Sequence, residues 1–129
     1  VPDPSLAQKL GVGSEGVVAL VHAHESFVLE LPRSTTLRHR ARGRADVVLA
    51  FFTRRHDLQD EIERLGTMIY PAGSLWIAWP KRSSGRRSDL SDHAVRETAL
   101  PLGLVDNQVC ALDETWSALR LVWRSERRR

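Results

Sequence analysis

Three short runs hold most of the side chains able to do chemistry: His22-Ala23-His24-Glu25-Ser26, Thr53-Arg54-Arg55-His56, and Trp79-Pro80-Lys81-Arg82-Ser83-Ser84. Each follows or completes an apolar run. In an open α/β sheet, ligands bind outside the carboxyl ends of the strands, which is where such runs would be delivered. Arginine at the start of a helix opposes the helix dipole, at a cost of about 0.3–1 kcal/mol. A phosphate or carboxylate held by Arg54, Arg55 and the free first-turn N–H groups would reverse that cost. In the alternative reading both arginines extend into water or pair with Asp57 or Glu61, which exposed helix starts tolerate cheaply. Contacts to a small anionic ligand are assigned to His22, His24, Thr53, Arg54, Arg55, Trp79, Lys81 and Ser84.

His22 and His24 share a face if their strand continues that far. With Glu25 they have the donor types of a zinc site. A third ligand at fixed spacing is missing, so no metal is predicted, and the histidines are read as polar strand termination or ligand contacts. No G-x-S-x-G, H-E-x-x-H or Walker A sequence occurs. Cys110 falls mid-strand and reads as a packed thiol. Asp113-Glu114-Thr115-Trp116-Ser117 is the densest polar cluster near the carboxyl terminus, with Asp113 placed to accept turn N–H groups and Trp116 to cover a sheet edge. Trp76 and Trp123 suit the core or the sheet faces. Trp79 and Trp116 suit a pocket or interface, where an apolar ring with one N–H donor is useful.

The elements that must position these residues are legible as apolar runs. Gly16–His22, Asp46–Thr53 and Leu75–Pro80 read as strands. Their continuity indicates burial on both faces, as in a parallel sheet covered by helices. Ser5–Leu10, closed by Gly11, and Glu25–Pro32, stopped by proline, read as short helices. Arg33–Ala45 has no period and reads mainly as loop, with room for a short irregular strand. Arg54–Met68 is a helix with Thr53 as its cap, and Leu58, Ile62, Leu65 and Ile69 form its inward face. A further helix runs from Ser91 or Asp92 to about Leu102, burying Val95, Ala99 and Leu102, with Pro101 in its last turn. The segment between Leu104–Leu112 and Ser117–Arg124 is too short for a parallel crossover, so these strands form an antiparallel hairpin.

That order predicts an α/β, Rossmann-like domain. Its mostly parallel sheet is flanked by helices on both faces and ends in an antiparallel hairpin. Lys81 then opens a loop at the carboxyl edge, and Arg54 and Arg55 arrive there from the neighbouring strand. Lys81, Arg54 and the first-turn N–H groups are expected round one hollow beside His22 and His24. Gly85 and the serines are expected to leave the loop over it mobile.

A chain of 129 residues fits one domain, residues 1–124, followed by a basic tail, 125–129. With 42% hydrophobic and 27% charged residues it reads as globular and not disordered. No apolar run approaches ~20 residues, which excludes a transmembrane helix, and Val1–Gly11 lacks the pattern of a signal peptide. A single cysteine cannot form an internal disulfide, which points to a reducing cytoplasm. The net charge is only +3, but basic residues gather at Arg33–Arg44, Lys81–Arg87 and Arg124–Arg129. Such clusters serve either as solvated surface or as an anion-binding face. No aromatic interrupts the first two, so contact with nucleic acid is expected to be nonspecific at most.

The element order resembles the carboxyl-terminal part of class I methyltransferases. The runs "DVVLAFFT", "LWIAWPK" and "LPLGLVDNQVCALDETWSALRLVWR" are similar to a family of small bacterial proteins known as a domain of unknown function. The resemblance covers roughly Leu6 to Arg124. It implies a reduced methyltransferase-like Rossmann fold and no activity. Class I methyltransferases place a glycine-rich turn after the first strand, where glycine lets the backbone approach the cofactor. Here His22–Ser26 contains no glycine, and the glycines of Gly11–Gly16 precede the strand. Those enzymes also end their second strand in an acidic residue, whereas Arg33–Arg44 contains no Asp or Glu. No cofactor is therefore predicted. The leading expectation is a noncatalytic domain that binds a small anionic ligand, a protein partner or a second copy of itself. A small transferase with an altered nucleotide-type cofactor site is the alternative.

Overall fold

The computed structural model describes residues 6–13, 16–25, 27–31 and 33–127. Ser5, Ser14, Glu15, Ser26, Pro32, Arg128 and Arg129, which the sequence places in a helix start, a glycine-rich turn, the first chemical run, a helix stop and the basic tail, lie outside the described residues. The described elements are α1 (Leu6–Lys9), β1 (Val17–Val21), β2 (Thr36–Arg38), β3 (Val47–Phe51), α2 (Arg55–Ile69), β4 (Ser74–Pro80), α3 (Asp92–Ala99), β5 (Leu104–Ala111) and β6 (Trp116–Trp123). They build one six-stranded sheet in the order β2-β1-β3-β4-β6-β5. The pairings from β2 to β4 are parallel. Those of β6 with β4 and with β5 are antiparallel. The mixed α/β architecture with a carboxyl-terminal antiparallel hairpin is the one the sequence predicts.

β3 and β4 are buried at every position, because both faces of the sheet are covered. On one face Leu58, Ile62, Leu65 and Ile69 of α2, with Val95 and Ala99 of α3, pack on Val48, Ala50, Leu75, Ile77, Leu119 and Leu121. Burying each aliphatic side chain of this kind favours folding by about 1.5–3 kcal/mol. α3 starts as its sequence dictates, with Ser91 Oγ accepting from Ala94 N at 3.1 Å. Pro101 lies in a tight turn, Leu100–Leu102, that closes the helix.

The other face carries Val18, Leu20, Leu49, Phe51 and Trp76, covered by Leu6 of α1 and by Ala23, Phe27, Leu29 and Leu31. Trp76 Nε1 donates to the Leu10 carbonyl at 3.1 Å, which ties α1 to the sheet.

One segment differs from the sequence expectation, and a second resolves an alternative that the sequence left open. The helix expected over Glu25–Pro32 does not form in its described part. Phe27, Leu29 and Leu31 pack on the sheet, while Val28 between them is 75% exposed. That is a period of two, which sets all three apolar residues against the sheet, Leu29 buried and Phe27 and Leu31 partly so, where a helix would turn one of them away. Arg33–Ala45 contains the edge strand β2, pairing Thr36–Arg38 with Val17–Ala19. Its side chains are largely exposed, so no apolar run announces it. No described helix is long and apolar enough to cross a membrane.

Candidate functional site

The connection from β1 leads to β2 on one side, while β3 lies on the other. Such a reversal opens a crevice between the carboxyl ends of β1 and β3, the usual ligand position of open α/β sheets. His22 ends β1 with φ 60°. A residue other than glycine held there costs about 1–3 kcal/mol, so its surroundings must fix it. His22 Nε2 lies 2.7 Å from Glu61 Oε2, and the imidazole meets Phe52 edge-on at 5.5 Å. An ionised carboxylate can only accept, so Nε2 carries the proton. Glu61 also accepts from Arg64 at 2.7 Å.

This turn separates the two histidines. His22 faces Phe52 and α2, whereas His24 packs on Phe27, Phe51 and Trp116 at the other face. The shared face expected of them ends with β1 at Val21, and no group of three metal-capable side chains occurs among the described residues.

The crevice holds about 450 Å³ and is lined by His22, Phe51, Phe52, Thr53, Asp57, Glu61 and Trp116. Trp116 is 5% exposed. Its Nε1 is buried with no hydrogen-bond partner among the described residues. A buried donor left unmade costs about 1–3 kcal/mol. The sequence read this residue as covering a sheet edge or lining a pocket or interface. Its position follows from Asp113, whose Oδ1 accepts from Thr115 N and Trp116 N, both at 2.8 Å. That turn seats Trp116 opposite Pro80 at the end of β4.

A second hollow of about 660 Å³ adjoins the crevice at Thr53 and is lined by Arg54, Arg82, Gly85, Arg86, Arg87, Ser88 and Asp89. Four arginines and one aspartate line it. Arg54, Arg82 and Arg87 form no ion pair among the described residues. The Arg86 guanidinium sits 5.8 Å above the Trp116 ring, a cation–π contact that joins the two hollows.

The loop that carries these arginines makes several hydrogen bonds. Ser84 Oγ donates to the Lys81 carbonyl at 2.6 Å and accepts from Arg86 N at 3.2 Å. Ser88 Oγ donates to the Thr53 carbonyl at 2.7 Å, and Leu90 is buried. Gly85, at φ 75°, makes the left-handed turn that lets the chain double back.

Several expected contacts are corrected by these bonds. Thr53 does not cap α2; Arg54 occupies the cap position without a side-chain cap bond. Asp89 Oδ1 instead accepts from Arg55 N at 2.6 Å. The first-turn amide expected to hold an anion is therefore engaged by a carboxylate of the protein. The Arg55 side chain pairs with Glu97 of α3 at 3.1 Å, not with Asp57 or Glu61. Lys81 Nζ donates to the Asp113 carbonyl at 2.7 Å and lines neither hollow, and neither does Trp79, which is buried against α2 and α3. Of the residues assigned to ligand contact, Arg54 lines the arginine hollow, His22 the crevice and Thr53 both. The single expected hollow is two.

A separate hollow of about 740 Å³ lies at the opposite, amino edge of the parallel strands, between Arg42, Arg44, Arg64, Tyr70 and Trp123. There Arg38 donates to the carbonyls of Arg42 and Arg44 at 2.9 and 2.7 Å. Part of the Arg33–Arg44 cluster thus serves to fold its own loop.

Solved structures similar to the chain include methyltransferases. Magnesium protoporphyrin IX methyltransferase (ChlM) from Synechocystis PCC 6803 with bound SAM aligns with a TM-score of 0.59 at 12% identity, over 92% of this chain and 74% of that one. The same enzyme with bound SAH aligns at 0.50 and 15% identity, over 70% of this chain and 51% of that one. LepI in complex with SAM aligns at 0.57 and 10% identity, over 92% and 39%. The chain thus spans about half to three quarters of the first enzyme and about two fifths of LepI. At such identities the likeness is one of fold, which is that of class I methyltransferases. No curated protein matches the chain in sequence. One family model does match, over residues 28–125, and the chain belongs to that family, DUF3052, proteins of unknown function.

Proposed function

We propose that this domain binds a small phosphate- or carboxylate-bearing ligand in the arginine hollow at the carboxyl edge of its sheet, without catalysing a reaction on it. One observation carries the reading: Arg54, Arg82 and Arg87 surround a hollow that contains one carboxylate, Asp89. Guanidinium groups present fixed planar forks that match phosphate and carboxylate oxygens. With the Arg55 amide engaged by Asp89, the arginine side chains and not the helix amides supply the attraction.

S-adenosylmethionine in the usual class I mode has no part in this reading, because the residues do not fit it. The turn after β1 holds His22, Ala23 and His24 where glycines would admit a cofactor backbone-close. The His22 ring is bonded to Glu61 and packed on Phe52 at the same place. After β2 come His39 and Arg40, so no carboxylate stands there to accept from ribose hydroxyls.

The test is thermal unfolding in phosphate and in chloride at matched ionic strength. Binding to the folded state raises the midpoint in phosphate. General anion exclusion also raises it, so the comparison includes an Arg54→Ala, Arg87→Ala variant. A gain specific to the wild type is expected; equal gains in both proteins reduce the hollow to solvated surface.

A further inference from the structure

We infer that the hollow at the amino edge of the parallel strands is a second binding site, for an organic anion with an apolar body and one charged group. This inference is independent of the arginine hollow at the carboxyl edge. At about 740 Å³ the amino-edge hollow has the size of a small-molecule site. Its wall is mainly apolar, with Ala41, Met68, Tyr70 and Trp123 among the lining residues. Arg42, Arg44 and Arg64 complete it, and no Asp or Glu lines it. Tyr70, 38% exposed, is the most exposed Phe, Tyr or Trp side chain of the described residues.

Specific bonds hold the walls in place. α2 carries Gly66 in its interior, where glycine weakens a helix. A Cβ there would lie 3.1 Å from Trp123 Cζ2 and 3.3 Å from Leu104 Cδ1, so the glycine lets the Trp123 ring lie close on the helix. Trp123 Nε1 donates to the Gly66 carbonyl at 2.9 Å, and the ring meets Tyr70 edge-on at 5.9 Å. On the loop side, Arg38 binds the backbone carbonyls of Arg42 and Arg44. The side chains of Arg42 and Arg44 form no ion pair among the described residues, whereas Arg64 pairs with Glu61 at 2.7 Å. Two neutral donors of the wall are used within the protein, the Trp123 N–H by Gly66 and the Thr67 hydroxyl by the Glu63 carbonyl at 3.0 Å. What the wall offers a ligand is chiefly apolar area and the charge of Arg42 and Arg44. Those guanidinium groups suit a carboxylate, sulfonate or phosphate, and with no carboxylate in the wall a cation has no partner. Inorganic phosphate would meet the charge and gain nothing from the apolar wall, and a neutral hydrocarbon would do the reverse. An apolar acid uses both.

The experiment is a titration of the whole chain followed by backbone amide and indole NMR, with 2-naphthoate, 2-naphthylmethanol and acetate at constant ionic strength. Naphthoate should shift Ala41–Arg44, Thr67–Tyr70 and the Trp123 indole saturably, with one dissociation constant. The alcohol should move the same signals but bind about tenfold more weakly, and acetate should not saturate. The variant Arg42→Gln, Arg44→Gln should bind naphthoate no tighter than the alcohol and leave the alcohol's affinity unchanged. Its melting point should stay near that of wild type, because the backbone carbonyls and not these side chains hold the loop. The variant Arg54→Ala, Arg87→Ala should bind naphthoate as wild type does, so the two sites stand or fall separately. Equal affinities for acid and alcohol, or an acid affinity unmoved in the Arg42→Gln, Arg44→Gln variant, would show that the arginines take no part and overturn the inference. No saturable shift at Ala41–Arg44 and Thr67–Tyr70, or saturable shifts confined to Gly85–Asp89, would overturn it as well.

Discussion

Replacing Asp89 by alanine separates the two roles that the carboxylate combines. It accepts the Arg55 amide at 2.6 Å and so caps α2, and it is the one negative charge among the arginines of the hollow. Losing a cap of this kind costs about 0.5–2 kcal/mol, and losing a negative charge at a helix amino terminus costs about 0.3–1 kcal/mol more. Asp89 is exposed, which favours the lower ends, so a net loss of roughly 1–2 kcal/mol is expected. For a chain of this length the melting midpoint should fall by about 3–8 °C. Phosphate should then act more strongly on the variant, because the ligand no longer meets a carboxylate in the hollow. At a concentration ten times the dissociation constant, binding restores about 1.4 kcal/mol. Unfolding followed by circular dichroism, with phosphate and chloride at equal ionic strength, measures both effects. An unchanged midpoint in chloride would refute the cap. A smaller phosphate gain than in wild type would show that Asp89 assists the ligand and does not compete with it.

Three further outcomes follow from the geometry. Gly73→Ala should destabilise by about 2–3 kcal/mol or more, since its Cβ would lie 2.7 Å from the Asp46 carbonyl oxygen and 2.9 Å from that of Ile69, backbone atoms that cannot step aside; a chemical denaturation midpoint close to wild type would contradict this. The hydrogen bond from Arg96, then that from the His93 amide, holds the Asp92 carboxyl below its ordinary value of 3.8. Its stabilising effect is therefore full above pH 3.8 and lost as pH falls through the lower folded value, so below pH 4 wild type should lose stability more steeply than Asp92→Asn, by a small margin because the group is solvent-screened. Burial pushes the Cys110 thiol up, with Lys9 opposing weakly, so alkylation at pH 8 should be much slower in the folded protein than in urea; equal rates would place the thiol outside the packed layer.

The parts of the fold that were legible in the sequence are those where burial alone decides. β1, β3 and β4 are apolar because they lie between covered faces, and the four-three-four spacing of Leu58, Ile62, Leu65 and Ile69 names the buried side of α2. The alternation of Phe27, Leu29 and Leu31 was equally present, but the short run Glu25–Pro32, stopped by proline, reads as a helix until one knows that a sheet face needs covering. β2 could be neither placed nor bounded, because an exposed edge strand carries no apolar run. At the site, the sequence located the carboxyl edge and Arg54 but not the diversion of Lys81 to the Asp113 carbonyl, 32 residues away. Nor could it show Asp89 folding back onto α2 across 34 residues. Such pairings depend on where two loops meet, and local composition does not encode that. Trp116 is the clearest case: its type was visible, but its lack of an acceptor is a property of the packed interior.

The most direct measurement of the central claim is a phosphate titration followed by backbone amide NMR at constant ionic strength. Saturable shifts are expected at Arg54, Arg82 and Gly85–Asp89, with one common dissociation constant. Arg42–Arg44, at the opposite edge of the sheet, should move little and without saturation. Shifts of equal size and linear concentration dependence at both arginine clusters would contradict the account, because phosphate would then be responding to positive charge in general and not to the hollow.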